Sequence, residues 1–146
     1  VNTIRNFAAY VCGTATTVRE VLARIDASPH LFQMVLDREG RLLGTVTDGD
    51  IRRAMLQGVG LDEPAERCMQ RRPVTGRVGH VEENQKRLAT LGSSRPFLPL
   101  LDADGRVVEV LVRYAGDAEI SHALVMAGGF GRRLGERTQT VPKTVL

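Results

Sequence analysis

The sequence predicts an α/β protein: tandem β-α-β-β-α repeats packed about a pseudo-twofold axis, followed by a truncated strand-loop-helix stub. Three observations carry this. "YVCGTATTVRE" from Tyr10 aligns with "PVTGRVGHVEE" from Pro73, pairing Val11 with Val74, Gly13 with Gly76, Val18 with Val81 and Glu20 with Glu83. Farther on, "LDREGRLLG" from Leu36 pairs with "LDADGRVVE" from Leu101, after a shift of two residues that a loop can absorb. Both copies also pass in the same order from helical to strand-like apolar spacing. One such unit is too small to bury its sheet on both sides, so the copies are expected to pack on each other and leave a cleft. The division is residues 1–60, 61–119 and 120–146.

In order, a short β segment and a glycine lead to a helix in which Thr17 and Glu20 have capping-box spacing, with Val18, Val21, Leu22 and Ile25 on one face. "FQMVL" and "RLLGTV" follow as strands joined by "DREG", whose glycine suits a tight turn. A further helix carries Ile51, Ala54 and Met55 on one stripe and ends at Gly58. In the second copy the helix falls near Glu82 to Leu91, where Asn84 and Gln85 interrupt the apolar face. "FLPLL", "DADG" and "RVVEVLV" then repeat the hairpin.

At 146 residues and 42% hydrophobic, the chain can form one domain or two small ones sharing a core. No apolar run is long enough to span a bilayer, and "VNTIRNFAAY" lacks the order of a secretory signal, so a cytoplasmic location and no membrane partner are expected. Cys12 and Cys68 lack metal-type spacing and His30, His80 and His122 are scattered, so no metal site is expected. A net charge of +3 raises nucleic acid as a partner, but interleaved acids and 4% aromatics favour small anions instead. The start at Val and the end in "KTVL" read as a piece of a longer protein.

The most informative stretch is "GTVTDGDIRR", Gly44 to Arg53, where a strand hands over to a helix. In one reading Thr47 is an N-cap and Asp50 a first-turn acid suited to the helix dipole, which together contribute about 1 kcal/mol and require no ligand. That leaves Arg52 and Arg53 unexplained, because a helix N-terminus is a poor place for cations unless an anion sits before its N–H groups. In the other reading Asp50 accepts from both hydroxyls of a ribose, Thr47 adds a contact, and Arg52 and Arg53 attract a phosphate.

The stretch "VLDREGRLLGTVTDGDIRRAML", within a doubled unit, resembles a cystathionine-β-synthase-type (CBS) domain pair, or Bateman module. The resemblance covers most of residues 1 to 119. It implies a regulatory adenosine nucleotide (AMP, ADP or ATP) bound between the repeats at a Gly-x-x-Thr-x-x-Asp pattern, which Gly44, Thr47 and Asp50 match, and a homodimer formed through the repeats. The second unit has Glu109, Val112 and Ala115 at these positions and lacks the clamp, so at most one strong site is expected. Arg71, Arg72 and Arg77 could line the same cleft, with Thr14 and Thr16 as weaker candidates.

After "ALVMA" comes "GGFGRRLGERTQTVPKTVL". The order Gly-Gly-x-Gly-x-Arg-Leu, Thr138, Pro142-Lys143 resembles the opening of sugar-phosphate nucleotidyltransferases, which have a Rossmann-like fold. The resemblance implies an NTP loop at Gly128, Gly129 and Gly131, with Arg133 and Lys143 as catalytic cations of a magnesium-dependent parent enzyme. Arg132 and Thr144 depart from that pattern. The fragment alone is expected to be inactive, and "ALVMA" to be disordered or captured at a sheet edge. The alternative to the regulatory reading is a structural dimerisation module without ligand.

Overall fold

The structure, a computed structural model, describes residues 1–113. Its strands are β1 (Asn2–Ile4), β2 (Val11–Cys12), β3 (Phe32–Leu36), β4 (Leu42–Thr47), β5 (Gly76–Arg77), β6 (Phe97–Leu101) and β7 (Val107–Val112). The helices are α1 (Val18–Asp26), α2 (Asp48–Leu56) and α3 (Val81–Thr90). The first repeat runs β2-α1-β3-β4-α2 and the second β5-α3-β6-β7, the order expected up to residue 113. Ala115, "ALVMA" and the stub of residues 120–146, with Gly128, Gly129, Gly131, Arg133 and Lys143, lie outside the described residues.

Local chemistry accounts for these elements. Glu20 N donates to Thr17 Oγ1 at 3.2 Å while Thr17 N donates to Glu20 Oε2 at 3.1 Å, so α1 opens on the expected reciprocal cap. Both hairpins turn in the same way: Gly40 and Gly105 take φ of +84° and +82°, which favours glycine. Asp37 and Asp102 each accept two backbone N–H groups of their turn at 2.9 Å. The turns also bond each other, Leu42 N to Gly105 O and Val107 N to Gly40 O, both at 3.1 Å. This reciprocal pair marks the pseudo-twofold axis.

The strands form two sheets, ordered β2-β3-β4 and β1-β7-β6-β5. They face each other through Phe32, Met34, Val107, Val110 and Val112, with the Phe32 and Phe97 rings stacked at 4.1 Å. Helices α1 and α2 cover the outer face of the first sheet through Val21, Ile25 and Ile51, and α3 covers the second through Leu88.

The structure departs from the sequence reading at three points. β1 belongs to the second sheet, although the sequence division puts residues 1–60 in the first repeat: Thr3 pairs with Leu111, so β1 covers an edge of β7 that would otherwise be open. Met55 is 46% exposed, because the buried stripe of α2 narrows to Ile51 and Ala54. As expected, Gly58 stops α2: Leu56 is its last helical residue, Gln57 its C-cap, and Gly58, with φ +96°, turns the chain away.

The third departure is one of register. Cys12 pairs with Val35 and Gly76 with Leu100, and Val35 and Leu100 hold equivalent hairpin positions opposite Gly44 and Glu109. Gly76 therefore corresponds to Cys12, not Gly13. Asn84, the counterpart of Val21, explains why: a Cβ on Gly76 would lie 2.3 Å from Asn84 Oδ1. Buried Asn84 donates to Arg77 O at 2.7 Å and accepts from Arg77 N at 3.0 Å. A small strand residue with a polar helix residue thus replaces the Cys12 and Val21 pair of the first copy.

Candidate functional site

Residues of β4 alternate between the outer core and the inter-sheet face, and Thr45 and Thr47, opposite Met34 and Phe32, take the inner side at the end of the sandwich. There the sheets diverge around a cleft of about 600 Å³. One wall is Thr45, Thr47 and the start of α2. The others are Gln70, residues 72–74 and the loop 91–97 that enters β6.

Thr47 and Asp50 form a closed local unit. Asp50 Oδ2 accepts from Thr47 N and from Thr47 Oγ1, each at 2.9 Å, while Asp50 N donates to Thr47 Oγ1 at 3.3 Å. Asp50 Oδ1 accepts from Arg53 Nη2 at 2.7 Å. Arg53 can reach back because helical side chains lean toward the N-terminus. Gly49 leaves it room: a Cβ there would lie 3.3 Å from Arg53 Nη1.

Of the residues expected at the site, Thr47, Asp50 and Arg53 line the cleft together, as does Arg72. Arg52 is exposed and outside the lining, because it lies one residue around the helix from Arg53. Gly44 is buried outside the cleft: a Cβ would lie 2.7 Å from Gln70 O and 2.9 Å from Met69 Sδ. Its smallness lets the 69–70 segment close on β4, where Thr45 N donates to Gln70 O at 3.1 Å and Gln70 N to Thr45 O at 2.7 Å. Arg71 donates instead to Glu66 O at 3.4 Å, and Arg77 does not line the cleft. Thr14 and Thr16 are also outside it, Thr16 Oγ1 accepting from Gly13 N at 3.0 Å.

Sequence reasoning missed Gln70, Ser93, Ser94 and Arg95. The Gly-Ser-Ser-Arg-Pro run at 92–96 is visible as a loop, but only the packing of the repeats carries it to Asp50. Arg53, Arg72 and Arg95 thus line the same cleft as Asp48 and Asp50, which holds both acceptors and an excess of guanidinium donors.

The second repeat does not reproduce this wall. Val110 and Val112 stand at the positions of Thr45 and Thr47, in the inner core. Nearby, the Tyr10 ring contacts Phe32 at 5.1 Å and His30 at 5.4 Å. A space of only about 10 Å³ remains among residues that include His30, Phe32 and Val112. Burial, and secondarily Arg95, push the His30 pKa below the usual imidazole range.

Cys12 and Cys68 are buried free thiols whose pKa burial raises, with Arg24 opposing at Cys12 and Asp50 and Glu63 adding at Cys68. Among the described residues no group of three or more His, Cys, Asp or Glu side chains could hold a metal ion, and no helix is long and apolar enough to cross a membrane.

Fold and cleft define an α/β module of paired repeats. The CBS domain family model matches residues 6–57, which contain the Thr47–Asp50 corner. CBSX2 in complex with AMP is similar over 76% of this chain and 86% of its own, with 22% identity and a TM-score of 0.64. The CBS domain pair of protein MJ0100, in complex with 5′-methylthioadenosine and S-adenosyl-L-methionine, is 20% identical over 69% of this chain and 82% of its own, with a TM-score of 0.57. The cytosolic domain of the Mg2+ channel MgtE, in complex with ATP, is 23% identical over 70% of this chain and 42% of its own, again with a TM-score of 0.57. No curated protein sequence matches. The described chain therefore has the CBS-pair fold, with a CBS domain match in its first repeat.

Proposed function

We propose that this chain is a regulatory module whose inter-repeat cleft binds one adenosine nucleotide at Thr47, Asp50 and Arg53. One observation carries the reading: an acidic side chain with acceptor capacity to spare shares a cleft of about 600 Å³ with Arg53, Arg72 and Arg95. The carboxylate suits a pentose diol and the guanidinium groups its phosphates. The AMP and ATP complexes of similar folds support a nucleotide, and the complex with 5′-methylthioadenosine and S-adenosyl-L-methionine supports the adenosine part of the ligand. Val110 and Val112, in place of Thr45 and Thr47, support a single strong site. Thermal unfolding with AMP, ADP, ATP and S-adenosylmethionine tests it. A ligand at 100 times its Kd stabilises the folded state by about 2.7 kcal/mol, and no rise in Tm with any of the four refutes the reading.

A second reading, a dimerisation module without ligand, is favoured by the closed Thr47–Asp50 cap, which satisfies the helix end by itself. We take a homodimer to be compatible with both readings, since Leu56 is 84% exposed on α2; light scattering checks it. We also propose, from residues 120–146, that the module regulates a cytoplasmic sugar-phosphate nucleotidyltransferase. Gly128, Gly129, Gly131, Arg133 and Lys143 would serve NTP binding and catalysis, with magnesium as the metal of such an enzyme. Pyrophosphate release by the longer protein, abolished by Lys143→Ala, is the test.

A further inference from the structure

We propose that the Asp50–Arg53 ion pair makes the cleft selective for phosphorylated over unphosphorylated nucleosides, with Arg53 held on the sugar-binding carboxylate until a phosphate draws it away. This rests on the nucleotide reading above.

The acceptor capacity of Asp50 limits what it can hold at once. A carboxylate has about four lone-pair sites, two on each oxygen. Thr47 N and Thr47 Oγ1 occupy Oδ2, and Arg53 Nη2 occupies one site on Oδ1. One site remains, while a ribose diol presents two O–H donors. Full engagement of the diol therefore requires Arg53 to leave. The Thr47 contacts stay, because they also close the cap of α2. Arg53 is the partner free to move: its side chain is 65% exposed against 17% for Asp50, and its donors reach over Gly49 at the cleft wall.

A nucleoside displaces Arg53 and offers it nothing in return. A nucleotide gives it a phosphate, a charge-assisted acceptor with more open sites, and Arg72 and Arg95 line the same cleft. Sugar recognition and phosphate recognition are thereby coupled through one guanidinium group.

Titration calorimetry of the 146-residue chain with AMP and with adenosine tests this, using wild type, Arg53→Met and, as an exposed charge change outside the cleft, Lys86→Met. Wild type is expected to prefer AMP by about a hundredfold or more. Arg53→Met is expected to weaken AMP about tenfold and to tighten adenosine about threefold or more, collapsing the preference, while Lys86→Met leaves both Kd values in place. Equal factors for the two ligands in Arg53→Met overturn the coupling but leave the nucleotide site standing. Binding of neither ligand by wild type overturns the site and the coupling together.

Discussion

Removal of the Asp50 carboxylate separates the cap that this side chain makes from the nucleotide binding proposed for it, because the two are expected to differ in size. In Asp50→Ala, Thr47 N loses its acceptor and half of the reciprocal cap disappears, a cost of about 1 kcal/mol. Loss of a first-turn negative charge adds about 0.3–1 kcal/mol. The Arg53 ion pair adds at most about 0.5 kcal/mol, since its guanidinium is 65% exposed. Thr47 Oγ1 still accepts from the backbone N–H of residue 50. The sum, about 1.5–2.5 kcal/mol, lowers Tm by roughly 6–10 °C in a domain of this size, and the fold survives. Binding suffers more. Each hydrogen bond from a ribose hydroxyl to the carboxylate is worth about 1.5–3 kcal/mol, so the loss of one or two weakens AMP by at least about tenfold. Asp50→Asn sharpens the contrast: its amide oxygen keeps an acceptor for Thr47 N, so stability moves by less than about 1 kcal/mol while affinity still falls. Urea melts and titration calorimetry below the melting range give the two quantities. Unfolding that shifts as calculated, with an AMP Kd that moves less than about twofold in either variant, refutes the binding role and leaves Asp50 as a cap.

Three other perturbations follow from the same geometry. Arg72→Ala removes an exposed cation from the cleft wall and is expected to weaken AMP about threefold to tenfold, with a shallower salt dependence of Kd on calorimetry. Gly76→Ala forces a Cβ to within 2.3 Å of Asn84 Oδ1 and 2.6 Å of Leu100 Cδ2 and is expected to cost about 1–3 kcal/mol. Adding Asn84→Ala relieves the first contact, so the double variant unfolds at higher urea than the summed single effects require. Burial raises the Cys12 and Cys68 pKa values above 9.0, so the folded chain holds these protons more tightly than the unfolded chain. Their stabilising contribution is whole below pH 9 and is lost as pH rises through the folded-state values. The urea midpoint therefore falls between pH 8 and pH 10, and by less in Cys12→Val.

How far the fold can be read from the chain depends on how locally each feature is encoded. The caps at Thr17 and Thr47 and the turns at Gly40 and Gly105 are three- and four-residue devices, and all appear where their spacing predicts. β1 has only three residues and exists because β7 has an edge to cover, which no local pattern announces. Asn84 reads as a flaw in an apolar helix face until β5 is placed beside it and Gly76 proves to be the space it fills. The candidate site divides along the same line. Thr47, Asp50 and Arg53 are each three residues from the next, so the N-cap and the nearly two turns of α2 that follow it gather them on one side. Gln70 and Arg95 arrive from other elements, and Gly44 carries a motif position while its own contacts are with the 69–70 segment. Local spacing cannot separate a capping box from a sugar clamp, because both use the Thr47 hydroxyl and the Asp50 carboxylate. The difference lies in what else lines the cleft: a cap requires nothing there, whereas Arg72 follows the 69–70 segment paired with β4 and Arg95 is carried in by the packing of the second repeat on the first.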